Sequence, residues 1–306
     1  MKKSILAVAA VLAMSGTALA GSEVDIDQIG FANVASALQI GNGNKARVLQ
    51  DGDLNSSITK QDGSDNYLRV RQTTNFNEVG NDADNTTLSQ KGKDNKAYVD
   101  QYGGNSNVVY KATQDGNTNL LKIDQNGTEN LVTKVLQDGN TNTAKINQIG
   151  VRNEVAEANQ IGNNNSLNIA QTYYENLVGK AESKGNNNKI KIDQDGMWHG
   201  QGNNFDGTIG GMSTSEANFG LHGGTRYASR VMQNGNGNTA NIDQNGMGQG
   251  FEIYQGFNGN GSTNSKVNLQ QNNAFNYAYA QQTGSAHVAN ITQSGVFNRT
   301  FVKQDN

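Results

Sequence analysis

The stretch Gln137-Asp-Gly-Asn-Thr-Asn142-Thr-Ala144-Lys-Ile146-Asn-Gln148 decides the fold of this chain. From Asn142 onward, every second residue is an amide or a small or aliphatic residue, and the residues between them are polar. Successive side chains of a strand point to opposite faces, so the alternation predicts a strand of about seven residues with one inward face. The Asp-Gly pair tolerates positive φ, so it predicts a turn of about four residues before that strand.

The same unit recurs along most of the chain. Gln returns at steps of eleven residues at 28, 39, 50, 61 and 72 and at 271, 282, 293 and 304, with some steps of twelve, as from Gln125 to Gln137. Gly follows Gln by two residues and Asn follows it by five in most units, which gives Gln-x-Gly-x-x-Asn-x-Ala-x-Ile-x-Gln. A fixed period of this kind indicates a repeat fold.

A long helix is the alternative, because eleven residues make nearly three helical turns. The spacing of two within each unit argues against it, as do the Gly residues in every turn. We therefore predict an all-β, amyloid-like cross-β fold: a β-solenoid, or β-helix, of stacked two-strand coils with about 22 residues per coil. Its core is expected to be a thin aliphatic stripe bordered by Asn and Gln.

Buried amides are costly unless they are hydrogen-bonded, and identical coils allow each amide to bond its equivalents above and below. The residues predicted to form such ladders, and to mediate self-assembly through them, are Gln28, Asn33, Gln39, Asn44, Gln50, Asn55, Gln61, Asn66, Gln72, Gln114, Asn119, Gln125, Asn130, Gln137, Asn142, Gln148, Asn153, Gln160, Asn165, Gln171, Gln194, Gln233, Asn238, Gln244, Gln271, Asn276, Gln282, Gln293, Asn298 and Gln304. The predicted turn residues are Gly30, Gly41, Gly52, Gly63, Gly116, Gly127, Gly139, Gly150, Gly162 and Gly235.

Asp stands at the first turn position of several units, at 51, 62, 115, 138 and 195. Two hypotheses fit this position. The Asp residues are good turn formers, or their stacked charges slow aggregation during export. The first is the simpler hypothesis.

Some irregular stretches keep the frame of the repeat. Ser183 stands at a Gln position and His287 at an Asn position. The segment from Gln72 to Gln90 is interpreted as a shortened or bulged unit. A Gly-rich stretch at about 197–227 is predicted to be a loop inserted in the solenoid wall.

The first twenty residues predict a secretory signal peptide, with Lys2 and Lys3, an apolar run from Ile5 to Met14, and Ala18-Leu19-Ala20 as the cleavage site. The repeat solenoid is then assigned to residues 21–306. The run is too short to span a bilayer, and no transmembrane segment is predicted. The chain has no cysteine and a net charge of −3, which argues against thiol chemistry and against nucleic acid as a partner.

The sequence contains no recognisable catalytic or metal-binding pattern. The chain has three histidines, His199, His222 and His287, and they lack metal-ligand spacing. Gly246-Met-Gly-Gln-Gly250 lacks the strand–helix context of a phosphate loop. The sequence thus predicts no enzyme, no cofactor and no metal site.

The units resemble the repeat of the curlin family, the subunits of bacterial curli fibres. The resemblance is carried by Ser22-x5-Gln28-x-Gly30-x-x-Asn33-x-Ala35-x3-Gln39, by the unit from Gln39 to Gln50 and by the unit from Gln137 to Gln148. It covers nearly all of residues 22–304, except the stretch at 197–227.

The resemblance implies an amyloid fibre of identical subunits for biofilm matrix and adhesion. It also implies an extracellular location on the surface of a Gram-negative bacterium. The partners it implies are further copies of the chain, a nucleator subunit and an outer-membrane secretion channel.

The ends of the array favour the fibre. Soluble repeat proteins need polar end caps, whereas this array begins soon after the predicted cleavage site and runs to Gln304, and the chain has no proline. The alternative is a monomeric secreted solenoid that acts as an adhesin or binding module. An ice-binding protein is disfavoured because the outward residues are mixed, and a polysaccharide-active β-helix enzyme because the short turns leave no groove.

Overall fold

The computed structural model describes residues 21–80, 87–199, 229–256 and 261–305. The predicted signal peptide lies outside the described residues, and so does most of the predicted insertion at 197–227. Parallel strands form two sheets in these ranges, and the described residues contain no helix, so none of their segments could cross a membrane as a long apolar helix.

Sheet 1 contains eleven strands. In stacking order they are β1 (Glu23–Ile29), β3 (Lys45–Asp51), β5 (Tyr67–Gln72), β8 (Lys96–Tyr102), β10 (Leu120–Thr128), β12 (Thr143–Val151), β14 (Ser166–Tyr174), β17 (Lys189–Met197), β19 (Thr239–Met247), β22 (Lys266–Ala274) and β25 (Val288–Val296).

Sheet 2 contains fifteen strands, some of them short. They are β2 (Val34–Ile40), β4 (Ser56–Ser64), β6 (Glu78–Val79), β7 (Leu88–Lys93), β9 (Val108–Asn117), β11 (Leu131–Asp138), β13 (Glu154–Ile161), β15 (Leu177–Val178), β16 (Lys180–Lys184), β18 (Ser229–Asn236), β20 (Gly250–Gln255), β21 (Ser262–Thr263), β23 (Tyr277–Gln282), β24 (Gly284–Ser285) and β26 (Arg299–Gln304).

The chain alternates between the two sheets and thereby winds into eleven coils, numbered here from coil 1 (β1 and β2) to coil 11 (β25 and β26). Equivalent residues of successive coils pair in register: Gln125 pairs with Gln148, which pairs with Gln171. Regular coils contain 22 or 23 residues. The predicted β-solenoid and its coil length are confirmed.

The core lies between the sheets and is two side chains wide on each strand. Leu121 and Ile123 of β10 face Val132 and Val135 of β11, and all four are buried. These positions stack along the axis, so one continuous apolar cluster runs through the coils. Burying each large aliphatic side chain contributes about 1.5–3 kcal/mol, which makes the thin stripe the main apolar contribution to folding.

The twelve-residue steps arise from β-bulges in sheet 2. In β11, Val132 and Val135 point inward with two residues between them where a regular strand has one. The same extra residue recurs in β9, in β13 and between β15 and β16, so the bulges stack in coils 4–7. A bulge adds a residue without changing which side chains face the core, and the repeat frame therefore survives.

Two irregular stretches differ from the sequence-based expectation. Between Gln72 and Gln90, Val79 of β6 and Leu88 of β7 occupy the two core positions that one strand supplies in other coils. The unit is therefore lengthened, which fits the bulged alternative and not the shortened one. Residues 197–199, at the start of the predicted insertion, belong to the coil. Met197 pairs with Met247, and the His199 amide donates to Asn176 Oδ1 at 3.2 Å, so the coil continues through His199.

Candidate self-assembly site: the amide ladders and the end coils

The Gln side chains at the ends of the sheet 1 strands form one ladder from Gln28 to Gln293. In each step, Nε2 of one Gln donates to Oε1 of the next at 2.6–3.0 Å, as from Gln148 to Gln171. The second N–H of Gln148 points to the backbone, with Leu131 O at 3.1 Å and Asn153 O at 2.9 Å. Both amide groups are therefore satisfied although the side chain is fully buried.

A second Gln ladder follows sheet 2 from Gln39 to Gln304. Its steps resemble those of the first ladder, with 2.8 Å from Gln39 Nε2 to Gln61 Oε1. Ser183 stands in this column, as the sequence predicted, and its hydroxyl donates to Gln233 Oε1 at 3.2 Å. Among the described residues, however, Gln160 Nε2 has no hydrogen bond to Ser183, so the ladder is interrupted at that step.

Two Asn ladders cover the starts of the strands. Asn119 Oδ1 accepts the backbone N–H of Asn142 at 2.9 Å, and Asn119 Nδ2 donates to Gly139 O at 2.7 Å. The side chain thus ties its own coil to the next coil and to the Gly turn there. One Asn ladder precedes the sheet 1 strands and the other precedes the sheet 2 strands.

The structure places every predicted ladder residue in one of these four columns. The columns also contain amides absent from that set: Asn77, Gln90, Asn95, Gln101, Asn107, Asn176, Asn188, Gln249 and Gln255. Bulges and extra turn residues shift the spacing of some of them, as at Asn107, which follows its Gln by six residues. Their place in the columns follows from the strand register, because equivalent residues of successive coils pair one-to-one.

His199 was assigned by sequence to the insertion but occupies an Asn position of the ladder. Its side chain is buried, and its Nε2 lies 3.3 Å from Asp195 O, the same i−4 contact that Asn153 Nδ2 makes with Ile149 O. Burial lowers the pKa of His199 to about 4. A neutral imidazole therefore replaces an amide in this column at neutral pH.

The predicted turn glycines are required by the stacking. Gly139 has φ +122°, and a Cβ there would collide with the carbonyl oxygen of Gly162 in the next coil. Equivalent collisions with a backbone oxygen of the next coil would follow at the other predicted turn glycines. The close approach of neighbouring turns explains Gly at this position better than local turn chemistry alone.

The five Asp residues at the first turn position have different surroundings. Asp115 pairs directly with Asp138, and Lys91 Nζ lies 3.3 Å from Asp115. Asp51 pairs with Ile29, and Asp195 accepts a hydrogen bond from Thr172 at 2.6 Å. Of the five, only Asp115 and Asp138 stack directly on each other, which favours their role as turn formers over a continuous column of charge.

The end coils differ from the interior coils in burial. In β1, the inward residues Val24, Ile26 and Gln28 are only half-buried, and so are Thr300 and Val302 in β26. Gln39 Oε1 is buried but accepts no hydrogen bond from any described residue, because its donor would come from a preceding coil. At the other end, Gln304 Nε2 uses one N–H for Val288 O at 3.2 Å, and no described residue accepts the other.

Exposed large apolar side chains concentrate in the end coils. Coil 1 exposes Ile29, Phe31 and Val34, and coil 11 exposes Val288, Val296, Phe297 and Phe301. Phe297 is 70% exposed and stacks on Phe275 with ring centroids 5.3 Å apart. Phe301 stacks on Tyr279 at 4.8 Å. Exposed apolar clusters of this kind mark contact surfaces.

Acidic and basic side chains form ion pairs on the outward faces of the sheets. Glu182 is buried between Lys180 and Lys184, with Oε2 3.0 Å from Lys180 Nζ and Oε1 2.9 Å from Lys184 Nζ. Although burial opposes ionisation, the two ammonium groups hold the pKa of Glu182 below its usual value.

No cluster of three or more His, Asp or Glu side chains that could hold a metal ion occurs within the described ranges.

Comparison with known families gives a direct match. Residues 21–52 and 41–73 match the curlin associated repeat. These residues form coils 1 and 2 and the first strand of coil 3, and the same register continues to Gln304. No curated protein matches the chain.

Proposed function

We propose that this chain, whose repeats match the curlin associated repeat over residues 21–73, is the structural subunit of an extracellular fibre that grows by stacking coil 11 of one copy on coil 1 of the next. The curlin repeat and the solenoid fold both point to a structural, non-enzymatic protein. The observation that carries the proposal is the unpartnered, buried Gln39 Oε1 in coil 1.

The hydrogen bonds give the proposed stacking a direction. Coil 1 has the free acceptor Gln39 Oε1, and coil 11 has the free N–H of Gln304 Nε2, which belongs to the same column. Every interior Gln–Gln step of that column runs from Nε2 of one coil to Oε1 of the next. A second copy placed beyond coil 11 therefore continues the ladder only in head-to-tail orientation, which leads to an open filament.

Apolar surface supports the same contact. Val296 and Phe31 both follow their Gln by three residues, and Phe297 and Ala32 both follow it by four. If one more coil step joined the two copies, Val296 would lie over Phe31 and Phe297 over Ala32. The half-buried core residues Val24, Ile26 and Val302 would become buried at the same time. Burial of exposed edges and apolar surface favours this association.

The cellular setting belongs to the same proposal. We assign residues 1–20 to a signal peptide and residues 21–306 to the solenoid, with a loop inserted after His199. The chain would be exported across a Gram-negative outer membrane by a dedicated channel and would polymerise on a nucleator subunit at the cell surface. The resulting fibres would serve the biofilm matrix and adhesion. The sequence supports the signal peptide and the loop, and the match to the curlin repeat supports export, nucleation and the role of the fibres.

Fibre formation is tested with the mature chain, residues 21–306. It is purified in denaturant and diluted to micromolar concentration, and thioflavin fluorescence and electron microscopy are followed over time. We expect a lag, then fluorescence growth and unbranched fibres whose diffraction shows the strand spacing of about 4.8 Å along the fibre axis. A folded monomer that persists for days would instead identify a solitary solenoid, such as an adhesin.

A further inference from the structure

We propose that the solenoid contains a one-sided hinge in coils 7–9, where sheet 2 opens while sheet 1 stays hydrogen-bonded. The hinge would divide the chain into two cooperative units, one before it and one after it. This inference concerns the folded chain itself and holds for a monomer and for a fibre.

The backbone pairing of the two sheets differs at this place. In sheet 1, β14 pairs with β17 over nine residues, and β17 pairs with β19 over nine. In sheet 2, β16 pairs with β18 over five residues, and β18 pairs with the next coil over seven, five with β20 and two with β21. Sheet 2 therefore has fewer interstrand hydrogen bonds to oppose separation of these coils.

Side-chain ladders show the same asymmetry. The two ladders that border sheet 1 run through coils 7–9 without a break, with 2.9 Å from Asn188 Oδ1 to the Asn238 N–H nitrogen and 3.0 Å from Gln194 Nε2 to Gln244 Oε1. The Gln ladder of sheet 2 is interrupted where coil 6 meets coil 7, between Gln160 and Ser183. It enters coils 7–9 through a hydroxyl instead of an amide, with Ser183 Oγ donating to Gln233 Oε1 at 3.2 Å.

The Asn ladder of sheet 2 is interrupted as well. It runs from Asn33 to the amide of His199. Among the described residues, no hydrogen bond joins His199 to Gln249 in the next coil, and none joins the side chain of Gln249 to Asn276 in the coil after that. The ladder resumes between Asn276 and Asn298. His199 Nδ1 and Gln249 Oε1 are buried and have no hydrogen-bond partner among the described residues.

The core is also weaker on this side. Ser229 of β18 is buried at a position where β20 has Phe251, its paired residue. A hydroxyl there contributes little apolar burial compared with an aromatic or aliphatic side chain. Fewer backbone bonds, unsatisfied buried polar atoms and a polar core position all lower the cost of separating these coils at sheet 2.

Hydrogen exchange read out by mass spectrometry tests the hinge on the mature chain. We expect amides of β16, β18 and β20 to exchange at least about tenfold faster than those of β14, β17 and β19 in the same coils. Amides of β9, β11 and β13 in sheet 2 should exchange as slowly as their sheet 1 neighbours. Equal exchange in the two sheets of coils 7–9 would overturn the proposal without any variant.

A repaired variant gives a second, independent test. The triple substitution Ser183→Gln, His199→Asn and Gln249→Asn restores the amides of both interrupted ladders and should slow exchange in β16, β18 and β20. His287→Asn is the matched control, because His287 occupies an Asn position in an uninterrupted ladder, with its N–H nitrogen 3.3 Å from Ser265 Oγ. Fast exchange that persists in the triple variant would contradict the role of the ladder breaks. Since neither test requires polymerisation, their failure would leave the proposed fibre function untouched.

Discussion

Gln39 donates from Nε2 to Gln61 Oε1 at 2.8 Å, while its own buried Oε1 accepts nothing from the described residues. Interior members of the column both donate and accept, as Gln61 does between Gln39 and Gln90. Gln39 therefore differs from its equivalents only by the absence of a coil on one side. A buried acceptor without a donor costs about 1–3 kcal/mol, and a further copy could remove that cost.

The interior ladders should be essential for folding. Gln148→Ala removes the acceptor of Gln125 Nε2 at 2.9 Å and leaves Gln171 Oε1 without its donor. We expect a loss of about 2–5 kcal/mol in the free energy of unfolding, because a cavity and unsatisfied polar atoms arise together. Chemical denaturation of freshly diluted monomer measures it. The control Asn147→Ala, on the outward side of the same strand, should change stability by less than about 0.5 kcal/mol.

Head-to-tail contact predicts that one exposed Phe matters more for assembly than another. Phe297→Asp places a charge on the outer side of coil 11, where the proposed second copy would bury it. Phe76→Asp makes the same change at the equivalent position of coil 3, where the side chain is 53% exposed. We expect Phe297→Asp to lengthen the thioflavin lag at least about tenfold, since burying an unpaired charge is costly, and Phe76→Asp to leave it near the wild-type value. Equal lag times would contradict end-to-end growth.

Sequence predicted the solenoid because period and alternation are local properties that every unit repeats. Gln137 to Gln148 alone contains a turn, a strand and both amide positions. Tertiary pairing determines the remaining features. The bulge at Thr133 and Lys134 is visible only as a twelve-residue step, and its alignment with Tyr110 and Lys111 depends on strand register.

The interruptions of the two sheet 2 ladders could not be predicted from the sequence either. His199 follows Gln194 by five residues, the usual Asn spacing, but the Gly-rich stretch beside it favoured a loop. Its place in the wall follows from hydrogen bonds with Asn176 of the preceding coil. Such contacts between residues 23 positions apart lie beyond any local pattern.

Protonation of His199 should make the chain acid-labile. Burial lowers the pKa of His199 to about 4, whereas an unfolded histidine titrates near 6.5. Its contribution to stability is therefore fully present above about pH 6.5 and is lost as the pH falls towards 4, by about 3 kcal/mol in total. We expect His199→Asn to reduce the drop in unfolding free energy between pH 7 and pH 4, measured by chemical denaturation at both pH values. An unchanged drop in His199→Asn would show that the imidazole is already solvated in the folded chain.

Alanine substitutions at Gly139 and Gly295 would distinguish an effect on folding from an effect on assembly. Both have positive φ, +122° and +107°, so alanine strains the backbone at either position. At Gly139 a Cβ would also collide with Gly162 O, whereas at Gly295 the nearest atom is Asn298 Nδ2 at 3.4 Å. We expect Gly295→Ala to cost about 1–3 kcal/mol from strain alone and Gly139→Ala to cost more, in denaturation of the monomer. In a fibre, the next copy would bring Gly30 O against Gly295. Gly295→Ala monomers should therefore fold yet fail to elongate from wild-type seeds, and normal elongation would place the growing contact elsewhere.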